Sequence, residues 1–323
     1  MILTIIEQDK GKIVDPSLET LTLARKFAAE NGIQTSAAIA GHQVRGLSDS
    51  LKNYGLAKVY LIENERFAKS APDAIAKSLS QLIEKTSPTA VTAAGTERGN
   101  ELMARITARL MQPMAANCVE VKVDGDGFRV TRQRWGGSLL EDAVLKGRFF
   151  TVAPHAAPAE PTPTASMEIE AFNPTLDEKD FRVQIGERIE SERKGVSLMD
   201  AKVVIGGGRG VGSAEKFAML EELAGLLHGA VGGSRVATNN GWRPHSDQIG
   251  QTGKQIAPDL YIACGISGAI QHIVGCKGSK RILVINSDAD APIFARADYG
   301  VIGDLHQIIP ALIEEIRRAK GGK

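Results

Sequence analysis

Cysteine is scarce in this sequence. There are only Cys118, Cys264 and Cys276 in 323 residues, with no CxxC pair among them. An odd, dispersed set supports neither a disulfide framework nor a structural zinc or iron–sulfur site, and it fits a reducing compartment. Charge of one sign is missing as well: 39 basic side chains stand against 38 acidic ones, net +1. The overall balance makes no electrostatic case for nucleic acid or an anionic membrane, whose binding needs concentrated positive charge, and leaves only a local patch open. No apolar run approaches the roughly 20 residues needed to span a bilayer. The start, MILTIIEQDKGK, has no basic n-region and reaches Glu7 too early for a signal peptide. These absences predict a soluble, cytoplasmic protein with no metal and no nucleic-acid partner. Aromatics are sparse too, at 5%.

Length and glycine are what remain to be read. At 323 residues the chain exceeds what one hydrophobic core usually serves, so two domains are expected. Its 43% apolar and 24% charged content excludes a largely disordered chain. Residues 1 to about 152 alternate short β-branched runs with helical patterns: ILTIIEQ, a helix from Pro16 to Asn31 with Leu18, Leu21 and Phe27 inward, TSAAIAG, a helix over Gln43–Asn53, AKVYLIE, a helix from Pro72 to Thr86, TAVTAAG, and a helix across Asn100–Met111. CVEVKV and FRVTRQRW flank Asp124-Gly125-Asp126-Gly127 and read as an antiparallel hairpin. The proline-rich stretch Pro154–Pro163 should run over the surface before the strand-like MEIEAF.

The charged stretch GERIESERKG reads as a linker, which puts the boundary near Lys194: an N-terminal α/β domain at 1–194 and a C-terminal one at 195–323. Beyond it, AKVVIGGG, GAVGGSR, DLYIACG, RILVIN and YGVIG are strand candidates, interleaved with helices at Ala214–His228, Gly268–Val274 and Leu305–Lys320. The fold class expected is α/β in both domains, each a mainly parallel sheet flanked by helices, the second doubly wound. Many glycines gather where these strands end, the side on which open α/β sheets bind ligands.

Three strand ends are candidates for chemistry. Gly206-Gly207-Gly208-Arg209-Gly210-Val211-Gly212 follows a strand and precedes a helix, a geometry that offers backbone N–H groups to an anion. It matches neither G-x-G-x-x-G nor a P-loop, so a Gly-rich turn without a ligand stays an open alternative. Gly232-Gly233-Ser234-Arg235 repeats the theme with a hydroxyl and a guanidinium, against the alternative of an exposed turn. The third is Gln248-Ile249-Gly250-Gln251-Thr252-Gly253-Lys254 with the segment from Tyr261 to His272; there Ser267 is placed to cap a helix whose first N–H groups face a phosphate. On spacing alone His272 reads as a packing or surface histidine and Cys264 as a small buried side chain. Ser267 lacks a G-x-S-x-G context, so no nucleophile is assigned.

The run LYIACGISGAIQHIVGCKGSKRILVINSDADAPIFARADYGVIGDL, with GGRG, GGSR and IGQTGK upstream in the same order, closely resembles the α-subunit of electron transfer flavoprotein. The resemblance covers most of residues 201–323, and the first block agrees with that family's N-terminal domain in length and character. It implies a non-enzymatic electron carrier, a heterodimer with a β-subunit that holds AMP, with one FAD in the C-terminal domain of this chain. Carried over, the FAD contacts are Arg209, Ser234, Arg235, Ile249, Gly250, Gln251, Thr252, Ser267, Gly268, Ala269, Ile270, Gln271, His272, Asn286, Asp304 and Leu305. A one-electron carrier needs cationic or hydrogen-bonding groups close to the flavin ring, and the resemblance assigns that tuning to Arg235, with Thr252 near N5 and His272 by the pyrimidine carbonyl. Ser267 would hold the pyrophosphate, and Asn286 and Asp304 the AMP half.

The resemblance also implies electrons taken from a dehydrogenase and given to a quinone reductase or other acceptor. Alternatives are an electron-bifurcating complex, whose partner subunit binds a second FAD and oxidises NADH, and a nucleotide-binding regulatory subunit with no redox role. Where the family commonly reads AAVDAG and PND, this chain has Val236-Ala237-Thr238-Asn239-Asn240-Gly241 and Pro244-His245-Ser246-Asp247, so Asn239 replaces an acid. Trp242 is a candidate to shield the flavin, with an aromatic loop plug as the alternative, and His245 a candidate to tune it with pH.

Overall fold

In a computed structural model, residues 1–137, 139–163, 166–184, 186 and 196–321 are described. They form two compact units, Met1–Arg134 with Leu139–Glu190, and Trp135–Ser138 with Ser191–Lys323. The boundary expected near Lys194 lies outside the described residues.

In the first unit β1 (Ile2–Ile6) leads through a short hairpin, β2 (Gln8–Asp9) and β3 (Lys12–Ile13), into α1 (Asp15–Glu30). There follow β4 (Thr35–Gly41), β5 (Lys58–Glu63), α2 (Pro72–Thr86), β6 (Ala90–Ala94) and α3 (Glu97–Arg109). Then come β7 (Met114–Asp124), β8 (Gly127–Arg134), β9 (Leu139–Leu145), β10 (Phe149–Val152) and β11 (Glu168–Ala171). The sheet order is β11-β5-β4-β1-β6-β10-β7-β8-β9. It is parallel from β11 to β7, and β8 and β9 extend it as antiparallel strands. Both faces of β1 and β6 are buried, which is why they read as unbroken apolar runs. Leu3 and Ile5 pack with Leu79 of α2 and Met103 of α3, whereas Ile2 packs with Ala24 and Phe27 of α1 on the other face.

Two expectations shift. The helix expected over Gln43–Asn53 is only a 3₁₀ turn at Arg45–Leu51, because Gly46, Ser48, Asp49 and Ser50 are weak helix formers. Helix α3 starts before Asn100, since the Thr96 hydroxyl accepts a hydrogen bond from the Gly99 N–H (2.9 Å) and caps it. The hairpin turns at Gly125 (φ +62°), and β9 adds a third strand that alternation had not marked.

The second unit runs β12 (Val203–Gly207), α4 (Ala218–Leu226), β13 (Ala230–Gly233), α5 (Arg235–Asn239), β14 (Leu260–Cys264), α6 (Ile270–Cys276), β15 (Ile282–Asn286), β16 (Tyr299–Ile302) and α7 (Leu305–Gly321). All five strands are parallel, in the order β13-β12-β14-β15-β16. The chain passes from β12 outward to β13 and then crosses back to β14. Strand order therefore reverses between β12 and β14, and loops leaving such a point diverge into a crevice. Leu305, Ile309 and Ile313 recur at every fourth position of α7 and pack against Leu220 and Leu223 of α4 and Ile205, Ile262 and Ile285 of the sheet. Among the described residues no helix is long and apolar enough to cross a membrane, and no cluster could hold a metal ion.

Candidate functional site

A cleft of about 460 Å³ opens where β12, β13, β14 and β15 end. Arg209 and Gly210 reach it from β12, and Ser234, Arg235, Val236 and Asn239 from the β13 end and α5. Gly265, Ile266 and Ser267 follow β14, and Asn286 and Asp288 follow β15. The loop Gln248–Thr252 and the residues Ala269, Gln271 and His272 complete the lining. This loop is held as an extension of the sheet, since Ile249 N–H donates to the Gly233 carbonyl (2.9 Å) and Lys254 N–H to that of Gln248 (2.7 Å).

Of the residues expected to contact a ligand, Arg209, Ser234, Arg235, Ile249, Gly250, Gln251, Thr252, Ser267, Ala269, Gln271, His272 and Asn286 all line this cleft. The other four lie elsewhere. Ile270 is exposed, and Gly268 (φ +85°) packs against the backbone of Ile293. Asp304 caps α7 by accepting from the His306 N–H (2.9 Å), and Leu305 is core. Trp242 packs on the core beside Leu220 and Ala237, and His245 is exposed; neither lines the cleft.

Two local expectations are overturned. The glycine amides after β12 are not open to an anion: Gly208 N–H donates to the Cys264 carbonyl (2.9 Å), Gly210 N–H to Gly265 (3.0 Å) and Gly212 N–H to Arg209 (3.1 Å). These glycines allow two backbones to touch, since a Cβ on Gly208 would lie 2.2 Å from the Gly265 oxygen. Nor does Ser267 cap a helix. Helix α6 begins at Ile270 with Ala269 at its N-cap, while the Ser267 carbonyl accepts from Ile293 N–H (3.1 Å).

What the cleft offers is side-chain chemistry. Neither Arg209 nor Arg235 forms an ion pair among the described residues, and both are exposed at the rim, so two guanidiniums stand available to an anionic group. Ser234 caps α5 through the Ala237 N–H (3.4 Å), which fixes the start of the helix that carries Arg235. A partly buried relay ends at the exposed Thr252: Thr238 Oγ1 has both Gln248 Oε1 (3.0 Å) and the Arg235 carbonyl (3.2 Å) within reach of its one proton, and Gln248 Nε2 donates to Thr252 Oγ1 (2.9 Å). With Thr252 Oγ1 accepting from Gln248, its own proton is left uncommitted. Asn286 is held by the protein, donating one N–H to the Ile266 carbonyl (2.9 Å) and accepting from Asp288 N–H (3.0 Å), which leaves its second N–H and second lone pair uncommitted at the cleft wall.

His272 is buried beside Tyr261, with Nε2 at 2.8 Å from the tyrosine oxygen and no hydrogen-bonded partner for Nδ1. Burial pushes its pKa down to about 4, against a smaller upward pull from the Ile249 backbone, so the ring is neutral at pH 7. Cys264 is a buried thiol pushed up to about 12 by desolvation, and no nucleophile.

Gly210, Val236, Asn239, Gln248, Gly265, Ile266 and Asp288 also line the cleft outside the expected contact set. Each lies inside a segment that the sequence singled out, Gly210 in the first Gly-rich stretch, Val236 and Asn239 where the chain departs from the family pattern, Gln248 at the start of the third, Gly265 and Ile266 between Tyr261 and His272, and Asp288 in the run that carries the resemblance, but none was picked as a contact. A second cavity, of about 620 Å³, lies at the ends of β1, β4 and β6 in the first unit. At its rim Arg98 pairs with Asp9 (3.4 Å), and Glu7 accepts from the Thr96 hydroxyl.

Five parallel strands with a polar cleft at the point of strand-order reversal have the form of an open α/β nucleotide-binding module. Comparison with known proteins sharpens this. Residues 197–277 match the electron transfer flavoprotein FAD-binding domain, and residues 2–177 the electron transfer flavoprotein domain. The chain is 38% identical over 321 residues to the electron transfer flavoprotein subunit alpha of Thermoanaerobacterium thermosaccharolyticum, covering 97% of each chain. It is 36% identical to the protein FixB of Clostridium saccharobutylicum, covering 96% of this chain and 94% of that one. It is also 36% identical to the subunit alpha of Megasphaera elsdenii, covering 99% and 97%. The chain belongs to the electron transfer flavoprotein α-subunit family.

Proposed function

We propose that this chain holds one FAD in the cleft of its second unit and, paired with a β-subunit, carries electrons from dehydrogenases to a quinone reductase or another acceptor. The observation that carries the reading is the donor set. Two unpaired guanidiniums, a threonine hydroxyl whose proton Gln248 leaves uncommitted and a buried imidazole nitrogen without a hydrogen-bonded partner converge on one cleft. An anionic ligand with a pyrophosphate and ring carbonyls is what such a set would satisfy. FAD, when bound, supplies the redox chemistry.

The protein's part is to bind and to bias. Arg209 and Arg235 would neutralise negative charge, on the phosphates and on the ring respectively. Thr252 and His272 would donate hydrogen bonds to ring acceptors, and the Ile249 and Ile266 side chains would exclude water from one wall. Asn239 adds no negative charge at this rim, so nothing on α5 opposes the pull of Arg235. On this reading the chain's role is electron carriage, with no organic substrate of its own. Three buried, unpaired cysteines are in keeping with a reducing, cytoplasmic setting.

The test is to purify the chain with its β-subunit, count flavin per α-chain and titrate the complex with reductant while recording the visible spectrum. One FAD per α-chain, reduced in resolved steps, is expected. A colourless complex that takes up no FAD on reconstitution overturns the proposal.

A further inference from the structure

Tyr261 and His272 are both buried, and the 2.8 Å contact between the tyrosine oxygen and Nε2 is the sole hydrogen bond of that hydroxyl among the described residues. A neutral imidazole carries one N–H and one bare nitrogen, so two proton arrangements are open. If Nε2–H donates to the tyrosine, the tyrosine proton is stranded and Nδ1 is a bare acceptor without a donor. That leaves two buried polar groups unsatisfied. If the tyrosine O–H donates to a bare Nε2, the ring proton sits on Nδ1, where the Ile249 backbone exerts a weak pull but no protein acceptor lies within hydrogen-bond geometry. An orphaned buried group costs about 1–3 kcal/mol, so the second arrangement is the stable one. It also leaves His272, which lines the cleft, with a donor to offer.

The space for this contact is built in, since a Cβ on Gly206 would lie 2.1 Å from the tyrosine oxygen. We propose that Tyr261 is a positioning residue that fixes His272 in its Nδ1–H form, making the ring a hydrogen-bond donor to a ligand carbonyl in the cleft. The identity of that carbonyl rests on the FAD reading; the tautomer does not.

The experiment uses the full chain with its β-subunit, carrying ¹⁵N-labelled histidine, with His272→Gln supplying the assignment. In the wild type at pH 7, Nδ1 should show the shift and one-bond proton coupling of a protonated nitrogen, and Nε2 the shift of a bare one. A proton found on Nε2 overturns the proposal whether or not any variant folds. In Tyr261→Phe the two nitrogen shifts should move toward each other as the tautomers mix, and the FAD dissociation constant should rise roughly tenfold, the order expected for one lost hydrogen bond. Unchanged ring shifts in a folded Tyr261→Phe also overturn it.

In a His272→Asn background, whose amide donates without help, Tyr261→Phe should change FAD affinity less than twofold; a full tenfold loss there would mean that Tyr261 acts by packing alone. A wild type that binds no FAD yet carries its proton on Nδ1 would sink the proposed function and leave this assignment standing. FAD bound normally beside an Nε2–H ring would do the reverse.

Discussion

Gly206 and Tyr261 occupy one space: a Cβ on the glycine would lie 2.1 Å from the tyrosine oxygen and 2.8 Å from its Cε2 and Cζ atoms. The ring is fully buried and cannot swing into solvent. Gly206→Ala is therefore expected to overpack the core of the second unit and destabilise it by about 1–3 kcal/mol. Urea unfolding checks this, with an undiminished midpoint as the outcome that refutes it.

Arg235 begins α5, is exposed, and forms no ion pair among the described residues. Its removal should cost the fold nothing beyond about 0.5 kcal/mol, whereas a charge-assisted hydrogen bond to an anionic ligand is worth about 1.5–3 kcal/mol. Arg235→Ala is accordingly expected to weaken FAD binding by roughly 10–100-fold at an unchanged melting temperature. Equal losses of affinity and stability would mean that the residue supports the fold instead. Arg209→Ala should behave alike, and both effects should shrink at high salt.

The parallel strands were legible because a strand covered on both faces must be apolar throughout, as ILTII and AVTAA are. The cleft was legible because glycines mark close approach. What kind of approach they mark was not: in the β12 loop they let backbone meet backbone at Gly265, which only the fold reveals. Helix α5 has five residues, too few for a periodic signal, and rests on the Ser234 cap. The contact between Tyr261 and His272 spans eleven residues and two elements, so no local pattern announces it. Read on spacing alone, His272 was an ordinary packing residue. The structure keeps the burial and adds an unpartnered nitrogen.

Cys118, Cys264 and Cys276 are all buried and unpaired, and burial pushes each thiol up to about 12. For Cys118 the nearby Arg132 opposes the shift without cancelling it. Since the thiolate is the reactive form and access is required as well, a disulfide-exchange reagent at pH 8 should find no fast-reacting thiol in the native chain and three after denaturation. One thiol reacting promptly in the native state would mean that one of these sites opens.

His272 also predicts how stability depends on acidity. An unfolded histidine titrates near 6.5, while burial holds the folded ring's pKa down to about 4. Between those values the unfolded chain binds a proton that the folded chain refuses, so stability falls as pH is lowered through that window, by up to about 1.4 kcal/mol per pH unit from this group. Above pH 7 neither state is protonated there and the contribution is flat. The difference in unfolding free energy between wild type and His272→Gln, measured in urea without added flavin, should therefore be constant from pH 7 to 8. Below pH 6 it should move in favour of the glutamine variant. A difference that stays level down to pH 4.5 would mean that the buried ring accepts its proton as readily as the unfolded one, and with that the neutral donor assigned to the cleft would be lost.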